Sequence, residues 1–286
     1  MTNKDTLLWD LCDTHCGSKF GLMIPDPFID YGGDAHYPTY SQKIIWEVFK
    51  KSIDRVAVAR RRKRLIIVLA GDLTEGIHHA ETDIISPSIF DHVKIFKEAL
   101  KYALKEVGFN KKKGDQIYFI RGSIAHGGKM NEAIQTLADG FGGVPDPDDH
   151  TLLHTHLLLD VNGLLYDYAH EGIRVGYRQW TEANNIRYHV LDSMMERIAT
   201  HHPIPRTYKR AHLHKFVQSG DVIYKDYISE GVVLPAFKTK DDWTNRKFNR
   251  KLSHVGSIWD VISADGKTRY REHEVLYFEQ SKIIKA

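Results

Sequence analysis

The sequence predicts an α/β protein in which two sheets form a layered sandwich with helices on the outside. In the first half of the chain, short apolar runs that end in polar residues alternate with amphipathic helical segments. This alternation is typical of parallel strands joined by crossover helices. In the second half, apolar segments flank Asn162-Gly163, a dipeptide that favours a tight hairpin turn, and therefore predict antiparallel pairing.

Three strands and two helices are predicted in the first half. Apolar runs indicate buried strands over residues 7–12, 65–70 and 116–120. Apolar residues at spacings of three and four predict one helix from residue 41 to about residue 62. The same spacing predicts a second helix over 90–107, which Gly108 stops.

The second half predicts a hairpin, a helix and four further strands. The hairpin strands cover 152–161 and 164–169, and the helix covers about 182–200. The remaining strands are predicted over 222–228, 232–237, 257–263 and 268–278, with Ala264-Asp265-Gly266 joining the last two. We expect these strands to form a second, largely antiparallel sheet. No repeat or linker marks a boundary, so we treat 1–286 as one domain.

The composition excludes several classes of protein. With 42% hydrophobic and 27% charged residues, the chain is neither disordered nor fibrous. No apolar run approaches the roughly 18 to 20 residues of a membrane span, so we expect a cytoplasmic protein with no membrane partner. Only two cysteines, Cys12 and Cys16, fit a reducing compartment. A net charge of +3 does not by itself indicate nucleic acid as a partner, and the oligomeric state stays open.

Five groups of polar residues occur at or after the ends of predicted elements. In chain order they are Asp13-Thr14-His15, Gly71-Asp72, the glycine-rich stretch 121–128, His170-Glu171-Gly172 and His212-Leu213-His214. A single Asp or His at a strand end is most often an ordinary loop residue. Five groups in succession, which bring carboxylate, imidazole and hydroxyl ligands to a common sheet edge, predict a divalent-metal site.

This ordered set resembles the calcineurin-like metallophosphoesterase family, whose signature is DxH, GD, GNH[DE], a lone His and GHxH. The resemblance extends from Asp13 to His214. It implies a four-layer α/β/β/α sandwich of two mixed sheets and a hydrolase that cleaves phosphate esters. It also implies two divalent ions that are bridged by a carboxylate and a hydroxide.

The resemblance assigns ligands residue by residue. Asp13, His15 and His214 would hold the first ion, and Asp72 would bridge both ions. His170 and His212 would hold the second ion. Because imidazole is a poor ligand for hard ions, we expect manganese, zinc or iron rather than magnesium.

Two positions depart from the family signature. Ala211 replaces the usual glycine of the last motif, which we expect to be tolerated. In the third motif, Ser123 replaces the ligand asparagine, and His126 comes two residues later than the motif histidine. The second ion is therefore expected to bind weakly, to use Ser123 or water, or to recruit His126. Variants of this kind resemble metallophosphoesterases of phages and prophages.

The remaining roles concern the substrate. His126, an imidazole on a glycine-rich loop, is the candidate general acid for the leaving alkoxide. Arg121, Arg174 and Arg178 are candidates for binding substrate phosphate, although surface cations are the simpler interpretation. The aromatic stretch 31–40 could stack a base or pack over the sheet edge.

Three functional hypotheses follow. The first is a metal-dependent phosphodiesterase that acts on nucleic acid or a nucleotide. The second is a phosphomonoesterase that acts on a nucleotide, a phosphoprotein or another small phosphate. The third is a catalytically weak metal-binding protein. The basic run Arg60 to Arg64 could be a nucleic-acid patch, but we interpret it as a solvated face, since cations suit a helix C-terminus.

Overall fold

Each predicted ligand group lies at or after the end of a strand or helix, so its position depends on the bounds of these elements. The computed structural model describes residues 4–77, 83–127, 131–173, 181–240 and 252–279. The strands are β1 (Thr6–Leu11), β2 (Phe28–Ile29), β3 (Ala35–His36), β4 (Arg64–Ala70), β5 (Gln116–Ile120), β6 (Leu153–His154), β7 (His156–Val161), β8 (Leu164–Ala169), β9 (Thr207–Arg210), β10 (Val217–Tyr224), β11 (Tyr227–Val233), β12 (Ser253–Ile262) and β13 (Arg269–Phe278). The α-helices are α1 (Tyr40–Arg60), α2 (Ile89–Glu106), α3 (Ile124–Gly127), α4 (Glu132–Phe141) and α5 (Glu182–Ala199).

The first sheet contains six strands in the order β13-β12-β1-β4-β5-β6. The strands β1, β4, β5 and β6 are parallel, as the alternation of strands and helices predicts. The expectation that the two C-terminal strands belong to the second sheet is wrong. β12 pairs antiparallel with the open edge of β1, and β13 pairs with β12. Nearly every residue of β12 is buried, as expected for a strand covered on both faces.

The second sheet contains five strands in the order β10-β11-β9-β8-β7. It is mixed rather than largely antiparallel, because β9 runs parallel to both β8 and β11. The sequence gives little sign of β9, whose residues TYKR include two cations. The strand predicted over 222–228 is also wrong. The chain reverses at Lys225, which has a φ of 53°, and Tyr224 pairs with Tyr227 across that turn.

The layers stack as helices, sheet, sheet and helix, which confirms the predicted α/β/β/α sandwich. Apolar residues of α1, α2 and α4 pack on the outer face of the first sheet, whereas α5 packs on the outer face of the second sheet. A separate apolar core lies between the two sheets. In the described part of the chain, no helix is both long and apolar enough to cross a membrane.

The alternation of side chains along β1 shows how one strand serves two cores. Leu7, Trp9 and Leu11 face the helices, whereas Leu8 and Cys12 face the other sheet. Side chains of successive strand residues point to opposite faces. The strand is therefore fixed from both sides, and this holds the residues that follow it in place.

Candidate metal centre

The first two ligand motifs are two loops that lie side by side. Asp13 and His15 follow β1, and Asp72 follows β4. The parallel pairing of these strands continues beyond their ends, because the amide of Asp13 donates to the carbonyl of Gly71 at 3.1 Å and the amide of His15 donates to the carbonyl of Asp72 at 3.0 Å. The predicted convergence of these groups at the carboxyl edge of the first sheet is therefore present.

Five of the six histidines and aspartates predicted as ligands have left-handed backbones. Their φ angles are 48° at Asp13, 43° at His15, 42° at Asp72, 67° at His212 and 48° at His214. This region is uncommon for residues other than glycine and costs about 1–3 kcal/mol at each position. Such conformations persist where the surrounding structure fixes them, and they concentrate at functional sites.

Asp13, His15 and His214 form the first trio, whose candidate ligand atoms all lie within 4.8 Å of one another. The Nε2 atoms of His15 and His214 are 3.0 Å apart, and Nε2 of His214 is 3.9 Å from Oδ2 of Asp13. Oδ1 of Asp13 is buried and has no hydrogen-bond partner among the described residues. This trio therefore offers an oxygen and two imidazole nitrogens at one point.

Asp72, His170 and His212 form the second trio, which meets the same 4.8 Å limit. Oδ2 of Asp72 is 2.9 Å from Nε2 of His170 and 3.9 Å from Nδ1 of His212. The other ring nitrogen of His170, Nδ1, lies 2.9 Å from the carbonyl of Ala70 and donates to it. This second bond fixes the orientation of the His170 ring.

The two trios are contiguous. Oδ1 of Asp13 is 3.6 Å from Nδ1 of His170, and Oδ2 of Asp13 accepts a hydrogen bond of 2.9 Å from the amide of His212. Asp13 therefore contacts members of both trios. The structure brings together all six residues to which the resemblance assigns the two ions.

Ser123 contacts Asp72 rather than facing away from it. Its amide donates to Oδ1 of Asp72 at 2.8 Å, and its hydroxyl lies 3.1 Å from each oxygen of that carboxylate. Gly122 makes this approach possible, since a Cβ atom at this position would lie 2.4 Å from Oδ1 of Asp72. The Ser123 hydroxyl therefore orients the proposed bridging carboxylate.

His126 lies on α3 beside both trios. Its Nδ1 donates to the carbonyl of Glu75 at 2.7 Å, so in the neutral ring the lone pair is on Nε2, which is 4.0 Å from Oδ2 of Asp72. The rings of His126 and His15 meet edge to face, with centroids 4.4 Å apart. This position leaves open both roles predicted for His126, as general acid and as ligand.

Glu75 belongs to the site but is not among the residues predicted from the sequence. Its Oε2 lies 2.8 Å from Nδ1 of His15, and its two oxygens lie 3.0 and 3.1 Å from Nζ of Lys238. His15, Glu75 and His126 form a third group within 4.8 Å. Glu75 lies three residues after Asp72 on the same loop, and this proximity is the sequence feature that could have identified it as part of the site.

Burial and charge set the protonation of the first trio. Burial lowers the pKa of His15 to about 3, and burial together with the neighbouring His15 and Lys238 holds the pKa of His214 well below its usual value. Burial raises the pKa of Asp13 to about 7, against the attraction of His170. Both imidazoles are therefore neutral at pH 7 and can offer lone pairs to an ion.

Within the second trio, Asp72 and His170 form an ion pair. Burial lowers the pKa of His170, but the charges of Asp13 and Asp72 outweigh burial and raise that pKa to about 9. Burial raises the pKa of Asp72, but the charge and hydrogen bond of His170, together with His212 and His126, outweigh it and hold the pKa well below its usual value. A cation bound here would replace the positive charge that His170 supplies to the two carboxylates.

These observations fit a site for divalent ions. The unpartnered oxygen of Asp13 is nearly inaccessible to water, and a buried polar atom without a partner is costly unless a ligand satisfies it. The donor set combines carboxylate oxygens with imidazole nitrogens, which suits zinc, manganese or iron.

Of the predicted phosphate-binding residues, only Arg121 lies in the described part of the chain. It follows β5, and its Nε is buried with no hydrogen-bond partner among the described residues. Arg174 and Arg178 lie outside the described residues. Cys16, which follows His15, is fully buried, and burial raises the pKa of its thiol to about 12, so it is not a reactive thiolate.

Comparisons with known proteins give a structural likeness at low sequence identity. The sequence matches no family model and no curated protein. A 5'-nucleotidase from Candida albicans SC5314 superposes with a TM-score of 0.43 and 13% identity, covering 96% of this chain and 51% of that one. The chain thus spans about half the length of the nucleotidase. A Thermotoga maritima protein solved by NMR superposes with a TM-score of 0.33 and 12% identity, covering 95% of this chain and 99% of that one. At these values, neither likeness assigns a function.

Proposed function

We propose that the protein is a metal-dependent phosphoesterase that hydrolyses phosphodiester bonds, with a nucleic acid or a nucleotide as substrate. One observation carries the proposal. Two adjoining trios of carboxylate and imidazole side chains, Asp13/His15/His214 and Asp72/His170/His212, converge at the carboxyl edge of the first sheet. Open α/β sheets bind their ligands at this edge.

The two trios would each hold one divalent ion, and the Asp72 carboxylate would bridge the two ions. When bound, paired divalent ions activate a water molecule and neutralise charge on the phosphoryl oxygens. Asp72 suits a bridging role because its carboxylate lies within 4.0 Å of nitrogens of His126, His170 and His212. Ser123 would hold this carboxylate in one orientation through its amide and hydroxyl.

His126 would protonate the leaving alkoxide from Nε2 in its doubly protonated form. Burial lowers the pKa of the ring and outweighs the charges of Asp72 and Glu75, which favour this form. The bond from its Nδ1 to the carbonyl of Glu75 fixes the ring and leaves Nε2 directed toward Asp72. A general acid must reach the leaving oxygen in the bound substrate, and a fixed ring beside both trios meets that geometric requirement. No nucleophilic side chain is needed, since the attacking group is water.

Arg121 would bind a non-bridging phosphate oxygen. It directly precedes Gly122 and Ser123, so it belongs to the loop that contacts Asp72. Among the described residues its guanidinium makes no ion pair and no side-chain hydrogen bond. The planar fork of an arginine can form two parallel hydrogen bonds to two phosphate oxygens, a geometry that a lysine ammonium lacks. Arg174 and Arg178 remain predictions of the same role from sequence alone.

The exposure of two of the histidines leaves room for the second ester substituent of a diester. In the described part of the chain, the side chain of His212 is 45% exposed and that of His214 is 29% exposed, whereas Asp13 and Asp72 are buried. The site therefore opens to solvent on the side of the last motif. A phosphodiester carries two ester substituents, and an open side of the site can accommodate the second one.

The test is the hydrolysis of bis(p-nitrophenyl) phosphate beside p-nitrophenyl phosphate, with manganese, zinc and magnesium in turn. We expect faster hydrolysis of the diester, with manganese or zinc above magnesium. Asp72→Ala should abolish it, whereas Asp226→Ala, an exposed control in the β10–β11 turn, should not change it.

Two other outcomes of this assay would replace the proposal. Faster hydrolysis of the monoester would replace the diester proposal with a phosphomonoesterase. Ion binding without hydrolysis of either compound would indicate the metal-binding protein, in which Ser123 serves Asp72 and does not complete the second site.

A further inference from the structure

We propose that a basic cavity at the opposite end of the first sheet binds a compact polyanion that carries several phosphate groups. The cavity has a volume of about 440 Å³ and is lined by the run Arg60 to Arg64, by Lys4 and Lys113, and by residues at the end of α2. This volume lies within the range of small-molecule sites.

The cavity is separate from the candidate metal centre. Arg64 is the first residue of β4, and Asp72 follows the last residue of that strand. A strand rises about 3.3 Å per residue, so the seven residues of β4 place the two sites about 20 Å apart. Lys4 lies before β1 in the same way. The proposal therefore does not depend on the function proposed for the metal centre.

An ion pair forms one wall of the cavity. The buried Arg60 donates to the carbonyl of Val107 and to the carboxylate of Asp115. Asp115 also accepts from the amide of Leu65 at 2.9 Å and from the amide of Asn110 at 2.7 Å. Its carboxylate is therefore already bound by several donors and is not available to the other cations around the cavity.

The other cations have no such partner. Lys4, Arg61, Arg62, Arg64 and Lys113 make no ion pair and donate no side-chain hydrogen bond within the described ranges. Glu106, the second carboxylate of the lining, lies 4.0 Å from Nζ of Lys105. Five unpaired cations around one concavity produce a strong positive potential, which attracts an anion of several charges.

The shape of the site favours a compact ligand over a nucleic-acid strand. A nucleic-acid groove combines cations with aromatic rings on which bases stack. None of the described residues that line this cavity is aromatic. Arginines outnumber lysines among the lining residues. The planar guanidinium of arginine suits the paired oxygens of phosphate groups. The geometry points to a ligand recognised through its phosphates alone.

The backbone conformation at Arg61 ends α1, so the basic run lines the cavity and does not continue the helix. Arg61 has a φ of 40° and a ψ of −107°, so the helix ends at Arg60 and the chain reverses into β4. The amide of Lys63 donates back to the carbonyl of Arg60 at 2.7 Å, and Nζ of Lys63 donates to the carbonyl of Ala59 at 2.9 Å. Lys63 therefore satisfies the helix terminus, while its neighbours remain available.

The test is calorimetric titration of the full chain with inorganic triphosphate at two salt concentrations. We expect one site on the wild-type protein and an affinity that falls as salt rises. The variant Arg61→Gln/Arg62→Gln/Lys113→Gln should bind about tenfold more weakly or worse, because three phosphate contacts are lost. The control Lys43→Gln/Lys97→Gln/Lys225→Gln removes the same charge from exposed positions elsewhere and should bind as the wild type does.

Three results would overturn the proposal. Equal weakening in both triple variants would show an unspecific charge effect. Binding that survives the cavity variant would place the triphosphate at another site, such as the metal centre. Binding of a single-stranded oligonucleotide without binding of triphosphate would identify a nucleic-acid surface instead. Hydrolysis of bis(p-nitrophenyl) phosphate by the cavity variant should equal that of the wild type. If the cavity does not bind a polyanion, the proposed phosphoesterase function is therefore unaffected.

Discussion

Glu75 shows how one buried carboxylate controls a neighbouring ligand. It accepts a hydrogen bond from Nδ1 of His15, which directs the lone pair of Nε2 toward His214 and Asp13. A carboxylate behind a ligating histidine fixes the tautomer and raises the basicity of the ring. Lys238 lies against Glu75 on the other side and balances its charge, so His15 and Lys238 both hold the carboxylate in place.

We expect Glu75→Gln to weaken the ion of the first trio about 10- to 100-fold, because the amide is uncharged and can present its NH₂ group to His15. Calorimetric titration with manganese measures both sites at once. The ion of the second trio should keep its affinity, and Glu47→Gln, at an exposed position of α1, should change neither site. Equal loss at both sites with a lower melting temperature would show a merely structural role for Glu75.

His126 and Ser123 separate catalysis from ion binding. We expect His126→Ala to lower kcat about 10²- to 10⁴-fold with both ions still bound, because loss of a general acid leaves the ligands in place. Ion content is measured by atomic absorption on the same sample. If the second ion is lost instead, His126 is the ligand that replaces the asparagine of the related motif.

The variant Ser123→Asn tests whether position 123 supplies a ligand to the second ion. The added amide oxygen should tighten that ion only if position 123 faces it.

At the scale of elements, the turns after β4 and β5 depend on glycine for different reasons. Gly71 has a φ of 83°, and a Cβ atom there would lie 2.3 Å from Nδ1 of His170. Gly122 is limited by space alone, because its φ is not in the left-handed region. A side chain at Gly71 therefore incurs both backbone strain and a steric clash with a proposed ligand.

We expect Gly71→Ala to lower the free energy of unfolding by more than about 1 kcal/mol and to reduce ion binding, because the ring of His170 must move. Gly33→Ala is the matched control, since Gly33 has a φ of 90° and no atom within 4 Å of an added Cβ. Urea unfolding and manganese titration of both variants measure the two effects. Similar losses in the two variants would show that backbone strain alone is responsible.

Strands with a clear local pattern could be predicted from the sequence, whereas others could not. Runs such as 65–70 and 116–120 are apolar on both faces, and the structure confirms both strands. β9 was missed because its residues Lys209 and Arg210 read as surface cations, whereas buried carboxylates pair with both. The placement of β12 was wrong because local pattern does not tell which sheet has an open edge. Left-handed φ angles at the ligands likewise follow from tertiary contacts, which no sequence window contains.

At the scale of the whole molecule, a buried network of charges joins the two sheets. Lys209, which is fully buried on β9, contacts Asp10 of β1 and lies 2.9 Å from Asp260 of β12. Arg271 of β13 links Asp260 to Glu230 of β11 at 2.7 and 2.8 Å. The network spans both sheets, and removal of one partner would leave a buried charge unpaired.

This network predicts how stability depends on pH. Burial raises the pKa of Asp260, but Arg271 and Lys209 outweigh it and hold the pKa well below its usual 3.8. Arg271 and Arg269 likewise outweigh burial at Glu230 and lower its pKa from 4.5. A carboxyl whose pKa is lower in the folded state stabilises the fold above its unfolded pKa, and this contribution is lost as the pH falls toward the folded pKa. Burial raises the pKa of Asp10, which opposes the effect in part.

The free energy of unfolding should therefore decrease as the pH falls below about 4.5. Asp260→Asn should reduce this slope by up to about 1.4 kcal/mol per pH unit, because one fewer proton is taken up on unfolding. Asp226→Asn, an exposed control, should leave the slope unchanged. Urea titrations between pH 3 and 6 measure the slope, and identical slopes in all three proteins would contradict this role of the network.

We propose that six side chains, contributed by the loops that follow β1, β4, β8 and β9, hold divalent ions. Anomalous scattering from crystals soaked in manganese tests this assignment, because the map locates the metal independently of any assay. We predict peaks between Asp13, His15 and His214 and between Asp72, His170 and His212, with the second peak the weaker at limiting manganese. A map without a peak among these six side chains would show that they do not form a metal site.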